Sequence, residues 1–171
     1  VDQLKDFAPV SLMGLFDLAI VTPSDSKFQT LQQVLDYARA NPGKLNVGSI
    51  NIGSTQHLTA ELFKSVANLD AQVVPYNGTP AVVTALRGGQ VDVAVEVLSP
   101  VLPQIRGGVL RPLAVTSAKR SAVLPQVPTA KEAGLTQLVS SSWNGLAAPA
   151  KTPKEVVDRL NREVALALQD P

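Results

Sequence analysis

The sequence predicts an α/β domain built on a mostly parallel sheet flanked by helices. Short apolar runs of strand length alternate with amphipathic segments along the chain. Several of these runs are apolar at nearly every position, as strands covered on both faces require. Turn signals such as Asn41-Pro42-Gly43, Asn77-Gly78 and Gly88-Gly89 punctuate them.

Leu15–Val21 is the first strand, closed by Thr22-Pro23. A helix begins at Thr30, with Gln33 in capping-box spacing. Leu31, Val34, Leu35 and Ala38 fall on one face, and Asn41-Pro42-Gly43 ends the helix. Leu45–Val47 is a short buried strand that runs into the loop Gly48–His57. A second helix follows to about Asn68 and buries Leu58, Leu62, Phe63 and Val66. Gln72–Pro75 is the next strand. Thr79 then caps a short helix with proline at its first position, ending at Gly88-Gly89.

Val91–Val95 is another central strand, with only Asp92 polar, and a helical stretch covers Val101–Arg106. Leu113–Val115 is a strand, Thr129 with Glu132 starts a short helix, and Ser140–Ala148 is the last strand. The final helix opens at Thr152, Pro153 and Glu155 and runs to the chain end, with Val156, Leu160, Val164 and Ala167 on one side. One domain over residues 1–171 is expected, with a core at about 20–140.

Composition narrows the function classes. Of 171 residues, 45% are hydrophobic and 17% charged, enough apolar material for an ordered core. Fifteen basic residues against fourteen acidic ones, scattered along the chain, leave no footprint for nucleic acid or an anionic membrane. Cysteine is absent, which removes disulfides, thiolate metal sites and a cysteine nucleophile. The apolar runs fall far short of the ~20 residues that span a bilayer, so no direct membrane insertion is expected.

The loop Gly48-Ser49-Ile50-Asn51-Ile52-Gly53-Ser54-Thr55-Gln56-His57 lies where a strand's carboxyl end meets a helix's amino end. Open α/β sheets bind ligands at that edge. Glycines allow close backbone approach, the helix terminus offers unpaired N–H groups, and Ser54 and Thr55 add hydroxyls. The combination suits a small anion such as a carboxylate. The plain alternative has Ser54 capping its helix, with His57 in capping-box position. GxxxxG is present, but Ser54-Thr55 stands where a P-loop has Lys-Ser/Thr, which argues against nucleotide.

Tyr76-Asn77-Gly78-Thr79-Pro80 repeats the arrangement at the next strand-to-helix turn. Glu96 follows a hydrophobic strand and either accepts a hydrogen bond from a ligand or is simply solvated. Enzyme signatures are thin: one histidine, no GxSxG, no HExxH, and no carboxylate pair on a shared face. Ser24-Asp25-Ser26-Lys27 matches S-x-x-K only formally, in an evident turn. No catalytic residue, cofactor or metal is expected.

The chain resembles the solute-binding proteins of tripartite tricarboxylate transporters, the Bug family. The resemblance rests on Lys5–Leu12, Ala40–Asn46, Gly53-Ser54-Thr55 with His57-Leu58 and Glu61-Leu62-Phe63, Val74-Pro75-Tyr76 with Gly78, Gly88–Asp92, Leu113–Ser117 with Lys119-Arg120-Ser121, Pro125–Thr129 and Glu132-Ala133-Gly134. It implies a periplasmic, non-catalytic receptor of the type II periplasmic binding protein fold. Such a receptor closes two lobes around a small carboxylate and delivers it to membrane permease subunits. In that frame this chain is the second lobe, with crossover segments at both ends leading to a first lobe. The resemblance places ligand contacts at Ser49, Gly53, Ser54, Thr55, His57, Gly78 and Thr79. Glu96-Val97 replaces the Asp-Asn pair of many relatives, and Asn77 replaces the more usual lysine. The effector domain of a LysR-like transcription regulator, which shares the architecture, is the second expectation. A hydrolase or transferase on such a sheet would need a nucleophile–base pair that the sequence does not offer.

Overall fold

In the computed structural model, which describes residue 2 and residues 4–169, the chain forms eleven elements. They run β1 (Phe7–Pro23), α1 (Leu31–Ala40), β2 (Leu45–Ile50), α2 (Thr55–Val66), β3 (Ala71–Tyr76), α3 (Thr79–Arg87), β4 (Val93–Val97), α4 (Leu98–Arg106), β5 (Leu110–Val115), β6 (Ser141–Pro149) and α5 (Lys154–Ala167). The chain divides into two compact units, Phe16–Ser142 and Val1–Leu15 with Trp143–Pro171.

In the larger unit the sheet order is β3-β2-β4-β1-β5. β2 pairs in parallel with β3 and β4, while β1 runs antiparallel to both β4 and β5. β2, β3, β4 and β5 therefore share one direction, and their carboxyl ends lie on one edge.

Alternation decides what each face buries. Leu18, Ile20, Val47, Val93 and Val95 pack on one side against α1 (Leu31, Val34, Leu35, Ala38) and α2 (Ala60, Phe63). Ala19, Val21, Ala94 and Val115 pack on the other against α3 (Val82, Ala85, Leu86) and α4 (Leu98, Val101). A strand covered on both faces has no polar side to show, which is why the central runs read as continuously apolar.

Several expectations need correction. β1 spans 17 residues, starting well before Leu15, because its first part lies in the other unit, where β6 pairs with β1. β2 continues through Gly48 and Ser49 to Ile50, since all three pair with β3; the expected loop is only the turn before Thr55. On α2 the buried residues are Gln56, Thr59, Ala60 and Phe63, while Leu58 is 60% exposed and Leu62 is also exposed. The buried face therefore runs through Thr59, whose hydroxyl is paired with Ser140 Oγ at 2.7 Å, as well as through Phe63. α4 begins at Leu98, earlier than expected, directly after β4.

Thr30 does cap α1 by accepting from Gln33 N–H at 3.3 Å, but the Gln33 side chain takes Gln29 N–H at 2.6 Å rather than closing the box on Thr30. Thr129 and Glu132 make the reciprocal capping bonds, Thr129 N–H to Glu132 Oε2 at 2.8 Å and Glu132 N–H to Thr129 Oγ1 at 3.1 Å. No helix follows them, because the chain turns at Gly134, whose φ is 97°. Lys27 of the S-x-x-K match lies over the Tyr37 ring at 3.7 Å from its centroid, a packing contact.

In the other unit, β1 and β6 carry α5, held by Asn161 Nδ2 donating to Val10 C=O at 2.6 Å. Pro153, not Thr152, occupies the cap position, and the helix ends at Ala167. The expected run to the chain end reaches residues 170–171, outside the described ones. None of α5's residues is buried, and Leu12, Met13, Leu15, Trp143 and Val156 are exposed in the same unit.

Candidate functional site

The carboxyl edge of β2, β3 and β4 meets the amino ends of α2 and α3. At α2 the backbone reverses through Asn51–Ser54, with Gly53 at φ 84° and open space around its α-carbon. A side chain at that φ would be strained, so the glycine is there for the turn. Ser54 is the cap. Its Oγ accepts from His57 N–H at 3.1 Å and donates to Ile50 C=O at 3.4 Å, so the hydroxyl is occupied within the turn.

The remaining donors of that helix end are backbone groups. Ser54 N–H is taken by Asn51 C=O and Leu58 N–H by Ser54 C=O, whereas Thr55 and Gln56 N–H find no backbone acceptor among the described residues. These are the orphan donors of a helix's first turn, pointing along the positive end of its dipole. Thr55 Oγ1 is also within 3.4 Å of Ser142 Oγ, and Thr59 Oγ1 lies 2.7 Å from Ser140 Oγ. The segment entering β6 is thereby tied to α2 by hydroxyl pairs that the sequence reading missed. Serine and threonine so far apart in the chain leave no periodic signal.

α3 is built differently. Gly78, at φ 89°, takes the cap position in place of Thr79, and no side chain caps the helix. Thr79 is the first helical residue, and its Oγ1 donates to Glu96 Oε2 at 2.9 Å. Pro80 has no N–H, and Gly78 C=O accepts from both Ala81 and Val82 N–H.

Glu96 lies inside β4, opposite Ala19 of β1, and is 0% exposed. The expectation of a solvated acid is therefore corrected: β4 extends to Val97, which carries Glu96 into the layer beneath α3. Burial raises its carboxyl from the ordinary 4.5 to about 6, partly offset by Thr79, Gln56 and Val97. The Gln56 amide favours the ionised form without reaching Oε1 in hydrogen-bonding geometry, and Oε1 is left without a donor. His57 Nδ1 is likewise buried and unpartnered. Ser49 is fully buried in β2, its hydroxyl directed to Ile50 C=O at 3.2 Å.

Thus Gly53, Ser54, Thr55 and His57 gather at one helix end, and Gly78 and Thr79 at the next. Glu96 sits below the second, and Ser49 within the sheet. Among the described residues no group of three or more potential metal ligands converges, and no helix is long and apolar enough to cross a membrane.

Comparison with known proteins adds a family. The model of the tripartite tricarboxylate transporter family receptor matches residues 1–171. BugT of Bordetella pertussis is 36% identical over 97% of this chain and 51% of its own length. Among solved structures, Rpa4515 of R. palustris with adipate is 34% identical with a TM-score of 0.91, covering 96% of this chain and 55% of that one. MatC (Rpa3494) from Rhodopseudomonas palustris with bound malate is 30% identical with a TM-score of 0.86, covering 96% and 56%. The chain spans about half the length of the curated relatives it matches.

Proposed function

The chain belongs to the tripartite tricarboxylate transporter receptor family, a family of solute-binding receptors rather than enzymes, and from that membership we propose that it forms the second lobe of a periplasmic receptor for a small carboxylate. The observation that carries the reading is the amino end of α2, where Thr55 and Gln56 N–H lack backbone acceptors at the carboxyl edge of a parallel sheet. Such an end holds a carboxylate with backbone donors and needs no arginine. The adipate and malate bound by the similar structures are carboxylates of this kind.

A first lobe, in the half of the relatives that this chain does not span, would supply the opposing wall of the cleft. The exposed apolar residues of β1, β6 and α5 would then be covered by that lobe. Carboxylate binding would shift an open–closed equilibrium of the two lobes. The closed receptor would hand its solute to the membrane permease subunits of the transporter. Ser54 and Gly53 shape the turn, Thr55 presents its hydroxyl and N–H, and His57 stands behind them.

The test is a thermal-shift and calorimetric screen of the full-length protein against dicarboxylates, adipate and malate included. A Thr55→Leu variant should abolish ligand-induced stabilisation, because the larger apolar side chain covers the orphan N–H groups. Unchanged affinity in that variant would overturn the site assignment.

A further inference from the structure

The two helix ends at this edge differ in what their first side chain presents. Both offer backbone donors, Thr55 and Gln56 N–H at α2 and Thr79 N–H at α3, none of which has a backbone acceptor among the described residues. At the α3 end Pro80 has no N–H, Ala81 N–H is already bonded to Gly78 C=O, and the Thr79 hydroxyl hydrogen is committed to Glu96 Oε2 at 2.9 Å. Once that hydrogen is committed, what half-buried Thr79 has left on its oxygen is lone pairs. A fully buried carboxylate with one oxygen unpartnered lies directly beneath.

We propose that Glu96 acts through Thr79 as a specificity-positioning pair, selecting solutes that carry a hydrogen-bond donor, a hydroxyl or an ammonium group, beside the carboxylate held at α2. This rests on the carboxylate-receptor reading above and narrows its solute class. A solute with only methylene at that point leaves the Thr79 lone pairs and the buried Glu96 charge uncompensated, which costs affinity. Glu96 touches no solute itself, being sealed from the surface.

Protonation reverses the sense of the pair. A protonated Glu96 donates to Thr79 Oγ1, freeing the threonine hydrogen to turn outward as a donor. The groups able to disturb this titration are few. His57 is the titratable residue in the first turn of α2, whose Glu61 and Lys64 pair with each other at 3.0 Å. α3 and α4 carry only Arg87 and Arg106, both in their last turns. β1 carries Asp17, two residues before Glu96's strand partner Ala19, and β2 carries no charged side chain.

The test measures, in the full-length protein, affinities for matched pairs: malate with succinate, aspartate with succinate, and 2-hydroxyadipate with adipate. At about pH 8 the donor-bearing member of a bound pair should bind about tenfold more tightly, and the ratio should shrink toward one near pH 5. Thr79→Val should collapse the ratio at every pH, Thr79→Ser should restore it, and Glu96→Gln should remove its pH dependence. The malate and aspartate arms distinguish a hydroxyl from an ammonium. Equal affinities within a bound pair, or a ratio unmoved by Thr79→Val, overturn the inference while leaving the carboxylate site intact. Binding of no member of any pair overturns both.

Discussion

At Glu96 the sheet buries an ionisable group for which it supplies only part of the needed hydrogen bonding. Desolvation dominates, so the carboxyl rises to about 6 despite Thr79, Gln56 and the Val97 backbone. The folded protein then holds a proton there more tightly than the unfolded chain, and stability falls as pH rises from the ordinary value through 6. The shift from 4.5 to about 6 corresponds to a loss on the order of 2 kcal/mol. Urea midpoints of the wild type and Glu96→Gln at a series of pH values should therefore diverge, the variant gaining by about that amount between roughly pH 4 and pH 7. A difference that stays flat across the range removes the buried-charge account. This residue was the least legible in sequence. A glutamate after Val91–Val95 looks like the end of a strand, and only its pairing with Ala19 of β1 shows that it is inside one.

Helix α2 shows how a correct element can carry the wrong face. Its cap, its length and Phe63 were readable, but Leu58 and Leu62 outrank Thr59 in hydrophobicity and point outward. The hydroxyl bond between Thr59 and Ser140 explains the exchange, since a buried threonine with a partner 2.7 Å away is satisfied. Phe63→Ala should cost about 3–5 kcal/mol in equilibrium unfolding, whereas Leu58→Ala should stay within about 0.5 kcal/mol. Equal effects would restore the leucine face. On β2, a methyl at Gly48 would stand 3.1 Å from Val91 Cγ2 and 3.4 Å from both Ala94 Cβ and Val82 Cγ1. Gly48→Ala should therefore destabilise by about 1–3 kcal/mol, measured the same way. That glycine serves close packing against α3 and β4.

Across the whole chain, the unit Phe16–Ser142 contains both core clusters and every candidate site residue. Its sheet is covered on both faces by its own helices. The segment expressed alone should unfold in one cooperative transition, followed by circular dichroism in urea; a broad, non-cooperative loss of signal would show that it depends on the rest of the chain. The other unit buries none of α5 and exposes Leu12, Met13, Leu15 and Trp143, so its stability should rely on a further partner surface, as the two-lobed proposal requires.

The order of strands and helices, apart from the helix expected at Thr129 that does not form, the mostly parallel sheet and the two glycine-bearing turns were legible from residue type and spacing, because local propensity and periodicity act within a few residues. The family was legible from motifs distributed along the chain. Three things were not: where β2 and β4 end, which face α2 buries, and which hydroxyls remain free to meet a ligand. Those depend on partners distant in sequence, such as Ala19 for Glu96, Ser140 for Thr59 and Glu96 for Thr79. Hydrogen bonds between distant side chains leave no period in the chain, and only the packed sheet decides which are made.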